Sequence, residues 1–142
     1  MTDTTEEFDA VIVGAGFSGL YMLYKLRNLG LRCRLFEAGE GPGGAWYWNR
    51  YPGARCDSES YFYCFSFSEE ILQEWTWSEK FPAQPEIERY LNFVADRLDL
   101  RRDMTFNARV TSAVYDDASM RWTVETSAGD KVSARYVVTA IG

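Results

Sequence analysis

The 142-residue sequence predicts an α/β fold built on a parallel sheet, and three observations predict it. An apolar run, an amphipathic stretch and a second apolar run follow one another within about 30 residues, the length of a βαβ unit. A Gly-x-Gly-x-x-Gly pattern sits at the junction of the first two. In the last third the hydrophobic period changes from helical to alternating.

Phe8–Val13 (FDAVIV) is rich in β-branched and apolar side chains and stops at Gly14, which predicts a buried strand. From Phe17 to Leu29 the positions Leu20, Leu23, Tyr24 and Leu26 recur at helical spacing, and Gly30 suits the residue just past a helix end. Arg32–Glu37 (RCRLFE) reads as the second strand, parallel to the first through a right-handed crossover. Ala38–Asp57 is irregular, with five glycines and two prolines. Disorder is disfavoured there because Trp46, Tyr47, Trp48 and Tyr51 need something to pack against.

Ser68–Trp77 predicts a short helix with Ser68 as N-cap. Pro85–Leu98 predicts an amphipathic helix, with Ile87, Tyr90, Leu91, Val94 and Leu98 on one face and Pro85 in its first turn. Met104–Ala108, Val110–Tyr115, Arg121–Thr126 and Lys131–Ala134 read as an antiparallel meander, with turns at Asp116–Ser119 and Ala128–Asp130. Tyr136–Ala140 (YVVTA) is then one more buried strand. One domain is expected, residues 1–142.

Composition excludes several functions. Lys and Arg number 15 against 21 Asp and Glu, a formal charge of −6, so nucleic acid is not the expected partner. No window approaches 18 consecutive apolar residues, and Met1–Asp9 is acidic and polar, unlike a signal peptide; a cytoplasmic protein with no membrane partner is expected. The absence of histidine removes Ser-His-Asp and Cys-His catalysis and most zinc sites, so no metal is expected. Cys33, Cys56 and Cys64 are odd in number, lack C-x-x-C spacing and read as reduced thiols, Cys56 and Cys64 packed. Of the 23 aromatic residues, 14 lie between Trp46 and Phe93, a clustering that asks for a cause.

Gly14-Ala15-Gly16-Phe17-Ser18-Gly19 follows a predicted strand and opens a predicted helix, the setting in which this pattern binds a dinucleotide and the fold becomes Rossmann-like. Gly14 allows the tight turn, Gly16 lets backbone approach a pyrophosphate, and Gly19 lets helix and strand pack closely. The free N–H groups of the helix start face the anion. Glu37, at the end of the second strand, suits both hydroxyls of a ribose and would repel a 2′-phosphate. FAD and NAD both remain open. Gly30 fits an extended FAD pattern, whereas Leu23 stands where that pattern has a small residue.

The run GG-x-WYWNRYPGARCD at residues 43–57 resembles the FAD-binding N-terminal portion of the Baeyer–Villiger monooxygenases. VIVGAGFSGLY at 11–21, YCFSFSEEILQEW at 63–75 and residues 84–95 are similar to the same family, and Val137–Gly142 resembles its strand-and-glycine segment returning to the flavin. The resemblance implies a three-layer FAD-binding domain with a long Gly/aromatic loop, a helical insertion and a β-meander. It also implies oxygenation of ketones to esters or lactones, dependent on NADPH and O₂, through a flavin C4a-peroxide.

On these matches Gly14, Gly16, Phe17, Ser18 and Gly19 would hold the FAD diphosphate, and Glu37 with Ala38 its ribose end. Gly44, Ala45, Trp46, Trp48 and Tyr51 would line the flavin pocket, while Asp57, the catalytic candidate, would organise the nicotinamide side. Trp75, Trp77, Tyr90 and Phe93 read as core, and Arg55 as an ion-pair partner of Asp57 or Glu59 or, alternatively, a catalytic residue. The family's second glycine fingerprint and histidine-containing motif do not occur in this sequence, so an NADPH domain is expected downstream and the chain alone is expected to be catalytically incomplete. The alternatives are a non-catalytic FAD-binding module and an NAD-linked dehydrogenase domain.

Overall fold

The computed structural model describes residues 4–142, so the first three residues of the polar N-terminal stretch lie outside the described residues. Strand β1 (Glu6–Val13) leads through helix α1 (Phe17–Asn28) to β2 (Cys33–Phe36). Then come a single helical turn, α2 (Ala45–Trp48), and helices α3 (Glu69–Glu74) and α4 (Gln84–Arg97). Strands β3 (Met104–Thr105), β4 (Val110–Asp116), β5 (Arg121–Thr126) and β6 (Lys131–Thr139) follow. The six strands form one sheet in the order β3-β2-β1-β6-β5-β4. β1 is parallel to both β2 and β6, whereas β5 is antiparallel to β4 and β6.

β1 is a near-continuous apolar run because both its faces are covered. Ala10 and Ile12, with Leu35 of β2, pack against Leu20 and Leu23 of α1 and against Ile87, Tyr90, Leu91 and Val94 of α4. Val11 faces the other way and packs with Phe36, Ala108, Val124, Val132 and Ala134. Helices therefore cover one side of the parallel strands, and the antiparallel strands help to close the other.

The helix signals act as expected. Gly30, at φ 82°, follows α1 in a Schellman turn: its N–H donates to Arg27 O (2.9 Å) and that of Leu31 donates to Leu26 O (3.2 Å). Ser68 Oγ accepts from the Ile71 N–H at 3.4 Å and caps α3.

Three strand expectations need correction. Met104–Ala108 is not the first strand of a meander. Only Met104 and Thr105 are in strand conformation, and they pair in parallel with β2 at the opposite edge. The chain then turns at Asn107 (φ 53°), whose N–H donates to Gly39 O, while the Ala108 N–H donates to Glu37 O, both at 2.9 Å. Lys131–Ala134 and Tyr136–Ala140 form one strand, because β6 keeps its β1 register through both segments. That strand is not wholly buried: Tyr136 is 53 % exposed, with the Arg135 guanidinium over its ring. Within the long loop, α2 was not expected, nor was the antiparallel stitching of residues 54–60 to 80–84 around the Arg55–Ala83 bridge. No helix among the described residues is long and apolar enough to cross a membrane.

Candidate functional site

A cavity of about 770 Å³ opens at the C-terminal ends of β1, β2 and β6. That is where open α/β sheets bind ligands, and its size falls within the ~300–1,000 Å³ of cofactor sites. Its floor is the glycine loop. Gly14 leaves β1 at φ 105°, its N–H donating to Phe36 O at 2.9 Å. A side chain there would meet Ala140 O at 2.4 Å, so β6 returns directly over this residue. A Cβ on Gly19 would lie 1.8 Å from Gly14 O, so helix and strand are in backbone contact. The N–H groups of Gly16, Phe17 and Ser18 have no acceptor among the described residues, and all three residues line the cavity. Three unpaired donors at the positive end of α1 are an arrangement that suits an anion.

Glu37, the sole carboxylate among the described residues on the cavity wall, is 5 % exposed. Its Oε2 accepts from the Ala15 N–H at 2.9 Å and its Oε1 from the Gly39 N–H at 3.2 Å. The side chain thus braces the glycine loop, and each oxygen keeps a lone pair free for a ligand hydroxyl. Ala38 lies beside it on the wall.

The opposite wall comes from the long loop. The Gly43 N–H donates to Ala15 O at 2.9 Å, and Gly44 abuts Gly16 closely enough that a Cβ would sit 2.9 Å from its Cα. Ala45, Trp46 and Trp48 of α2 line the cavity, as does Asn49. Trp46 Nε1 donates to Tyr63 Oη at 3.0 Å, and the Tyr63 ring stands edge-on to Phe17 at 4.9 Å. Tyr47, between the two tryptophans, is absent from the wall. Its ring rests against Gly39, its hydroxyl accepts from the Glu40 N–H (3.1 Å), and the Arg50 guanidinium sits 4.8 Å from its centroid.

One turn of helix cannot hold itself in place, and α2 has no buried residue. It is tied to α4 instead. Buried Gln84 donates from Nε2 to Trp46 O (2.5 Å) and to Glu88 Oε2 (2.8 Å). Arg50 donates to Glu88 Oε1 and to Tyr47 O, both at 2.7 Å.

The remaining expected residues fall elsewhere. Tyr51 (63 % exposed) and Asp57 (exposed) are not on the cavity wall of this chain; Asp57 lies in the segment 54–60 that runs along 80–84. Arg55 pairs with neither Asp57 nor Glu59. Its bridge to Ala83 lays it beside the 79–83 segment, where it binds Glu79 and Phe81 O, and Glu59 takes Lys80 at 2.8 Å. Trp75, Trp77 and Phe93 are half-buried and pack against the core, around buried Tyr90 or one another. The cysteines are free, Cys33 and Cys56 buried and Cys64 half-buried. No cluster of metal-ligand residues occurs among the described residues. The sequence reading missed Tyr63, Ala108, Arg109 and Val110 as wall residues. Of these only Tyr63 lay in a motif singled out from the sequence.

Comparison with known proteins agrees with this geometry. Residues 12–75 match the family described as an NAD(P)-binding Rossmann-like domain. The chain is 50 % identical over 139 residues to the acetone monooxygenase (methyl acetate-forming) of Gordonia sp. (strain TY-5), covering 98 % of this chain and 26 % of that protein. It is 48 % identical over 137 residues to a Baeyer–Villiger monooxygenase of Pseudooceanicola batsensis, covering 96 % and 25 %. An oxidised steroid monooxygenase bound to NADP superposes with a TM-score of 0.94 at 60 % identity, covering 96 % and 26 %. The chain therefore spans about a quarter of the length of the relatives it matches. Over nearly its whole length, this chain is a homologue of the Baeyer–Villiger monooxygenases.

Proposed function

We propose that this chain forms the FAD-binding part of a flavin-dependent Baeyer–Villiger-type monooxygenase that uses NADPH and O₂ to convert small ketones to esters or lactones. The observation that carries this reading is the pairing, in one cavity, of three unpaired amides at the start of α1 with an aromatic wall of Trp46, Trp48 and Tyr63. The residues fit the cofactor. Gly16, Phe17 and Ser18 would bind the diphosphate, with Gly14 and Gly19 shaping the loop. Glu37 and Ala38 would face the ribose of the adenosine half. Gly44, Ala45, Trp46 and Trp48 would border the isoalloxazine and keep water from it. Exposed Tyr51 and Asp57 would contribute from the outer side of the loop, Asp57 toward the nicotinamide. When bound, the flavin supplies the redox chemistry that the side chains of this chain lack. The nicotinamide site and the ketone pocket are proposed to lie mainly in the rest of the enzyme.

The glycine loop and Glu37 would also accept NAD, and the match to an NAD(P)-binding domain favours keeping that reading in the test. Titration of the protein with FAD and with NAD separates the two. The expected result is flavin binding with absorbance near ~450 nm and far weaker NAD binding. Tight NAD binding without FAD binding would overturn the proposal. The oxygenase reading is tested on the whole polypeptide with FAD and NADPH, where ester formation from a ketone must accompany NADPH oxidation.

A further inference from the structure

Arg109 is the sole cationic side chain among the described residues lining the cavity, and it was not among the residues expected from the sequence. Its backbone is fixed: the N–H donates to Ser127 Oγ at 3.1 Å, and its carbonyl accepts from the Ser127 N–H at 2.8 Å. Its neighbour Ala108 donates to Glu37 O at 2.9 Å, so residue 109 stands next to the ribose-facing acid. Its guanidinium, by contrast, makes no ion pair or hydrogen bond among the described residues. Arg50 and Arg55, around the same loop, are both engaged with carboxylates.

The cavity's geometry gives the order of a bound dinucleotide. With a diphosphate on the α1 amides and a ribose at Glu37, the base would extend past Ala38 toward residues 108–110, which line the same cavity. We infer that Arg109 is a cofactor-binding residue whose planar guanidinium stacks on the adenine face and closes the nucleotide end of the cavity. A guanidinium suits this place because it stacks on flat rings and is weakly hydrated, whereas an ammonium acts as a point charge. The inference rests on the proposed nucleotide reading and assigns a residue which that reading did not need.

The test measures affinity for FAD, ADP and FMN in the wild-type protein and in Arg109→Ala, Arg109→Lys and Arg89→Ala. Arg89 lies on α4, outside the cavity, and its substitution controls for the change in net charge. Arg109→Ala is expected to weaken FAD and ADP alike by about two- to fivefold, with FMN binding and the flavin spectrum unchanged. Arg109→Lys is expected to resemble the alanine variant, and Arg89→Ala the wild type. Unchanged ADP affinity in Arg109→Ala, or full affinity in Arg109→Lys, would overturn the inference while leaving FAD binding in place. Failure of the wild-type protein to bind FAD or ADP would instead overturn the underlying reading together with it.

Discussion

Replacing Gly19 by alanine tests the contact on which the whole cradle rests. The added Cβ would lie 1.8 Å from Gly14 O and 2.8 Å from Gly14 C, against an ordinary contact distance of at least 3.4 Å. The shortfall, 3.4 − 1.8, is about 1.6 Å, and the obstacle is backbone that no rotamer can relieve. α1 must therefore back away from the end of β1, although Leu20 and Leu23 on the same helix are fully buried. Overpacking of this kind costs about 1–3 kcal/mol, and loosening two leucine contacts adds about 1–2 kcal/mol. The better helix propensity of alanine offsets about 1 kcal/mol. The centre of these ranges is a net loss of about 2–3 kcal/mol, or about 6–12 °C in melting temperature for a domain of this size. Thermal denaturation followed by far-UV circular dichroism measures it, with Gly41→Ala as control, since nothing lies within 4 Å of a Cβ there. The control should melt within about 1 °C of wild type. A Gly19→Ala protein that melted there too, with unchanged nucleotide affinity, would refute the steric argument.

Two further outcomes follow from side chains away from the glycine loop. Gln84→Met keeps volume but removes the donor to Trp46 O and Glu88; it should cost about 1–3 kcal/mol and weaken FAD more than ADP, because only the aromatic wall shifts. Equal loss for both ligands would contradict the role of Gln84 in holding α2. For Cys33, burial first, then the Asp103 and Asp9 carboxylates, push the thiol from 9.0 up to about 11, against Arg27. Folding thus favours the protonated thiol, so its contribution is complete below pH 9.0 and is lost as pH rises through about 11. In urea titrations wild type should lose about 2–3 kcal/mol more than Cys33→Ala across that window; parallel curves for the two proteins would contradict it.

The βαβ start, the glycine loop and α4 were legible in the sequence because each is fixed locally. Gly30 sits where only a left-handed cap continues the chain, and Ile87, Tyr90, Leu91 and Val94 repeat at the helical period. What was illegible depends on distant backbone. Met104–Ala108 has the composition of a strand, but residues 107 and 108 are captured by the carbonyls of Gly39 and Glu37. The length of β6 was hidden by the Arg135–Tyr136 break in alternation, which reflects a locally exposed stretch and no turn. At the site, Glu37 was read from its position, whereas its bonds to Ala15 and Gly39 follow from how the two loops meet. Tyr47 stands between two wall tryptophans, and one turn of helix decides which of the three face inward. Arg109 carries no signal in a sequence read alone.

The place of β6 between β1 and β5 bears on how the molecule assembles. Residues 131–139 dock in the middle of the sheet, beside a strand formed more than a hundred residues earlier. During synthesis β1 therefore waits on the ribosome with one flank open and its hydrogen-bonding groups unmatched. Such distant pairing is slow to nucleate and leaves a sticky edge in the meantime. Chaperone demand and aggregation on expression should accordingly be governed by the arrival of this one strand.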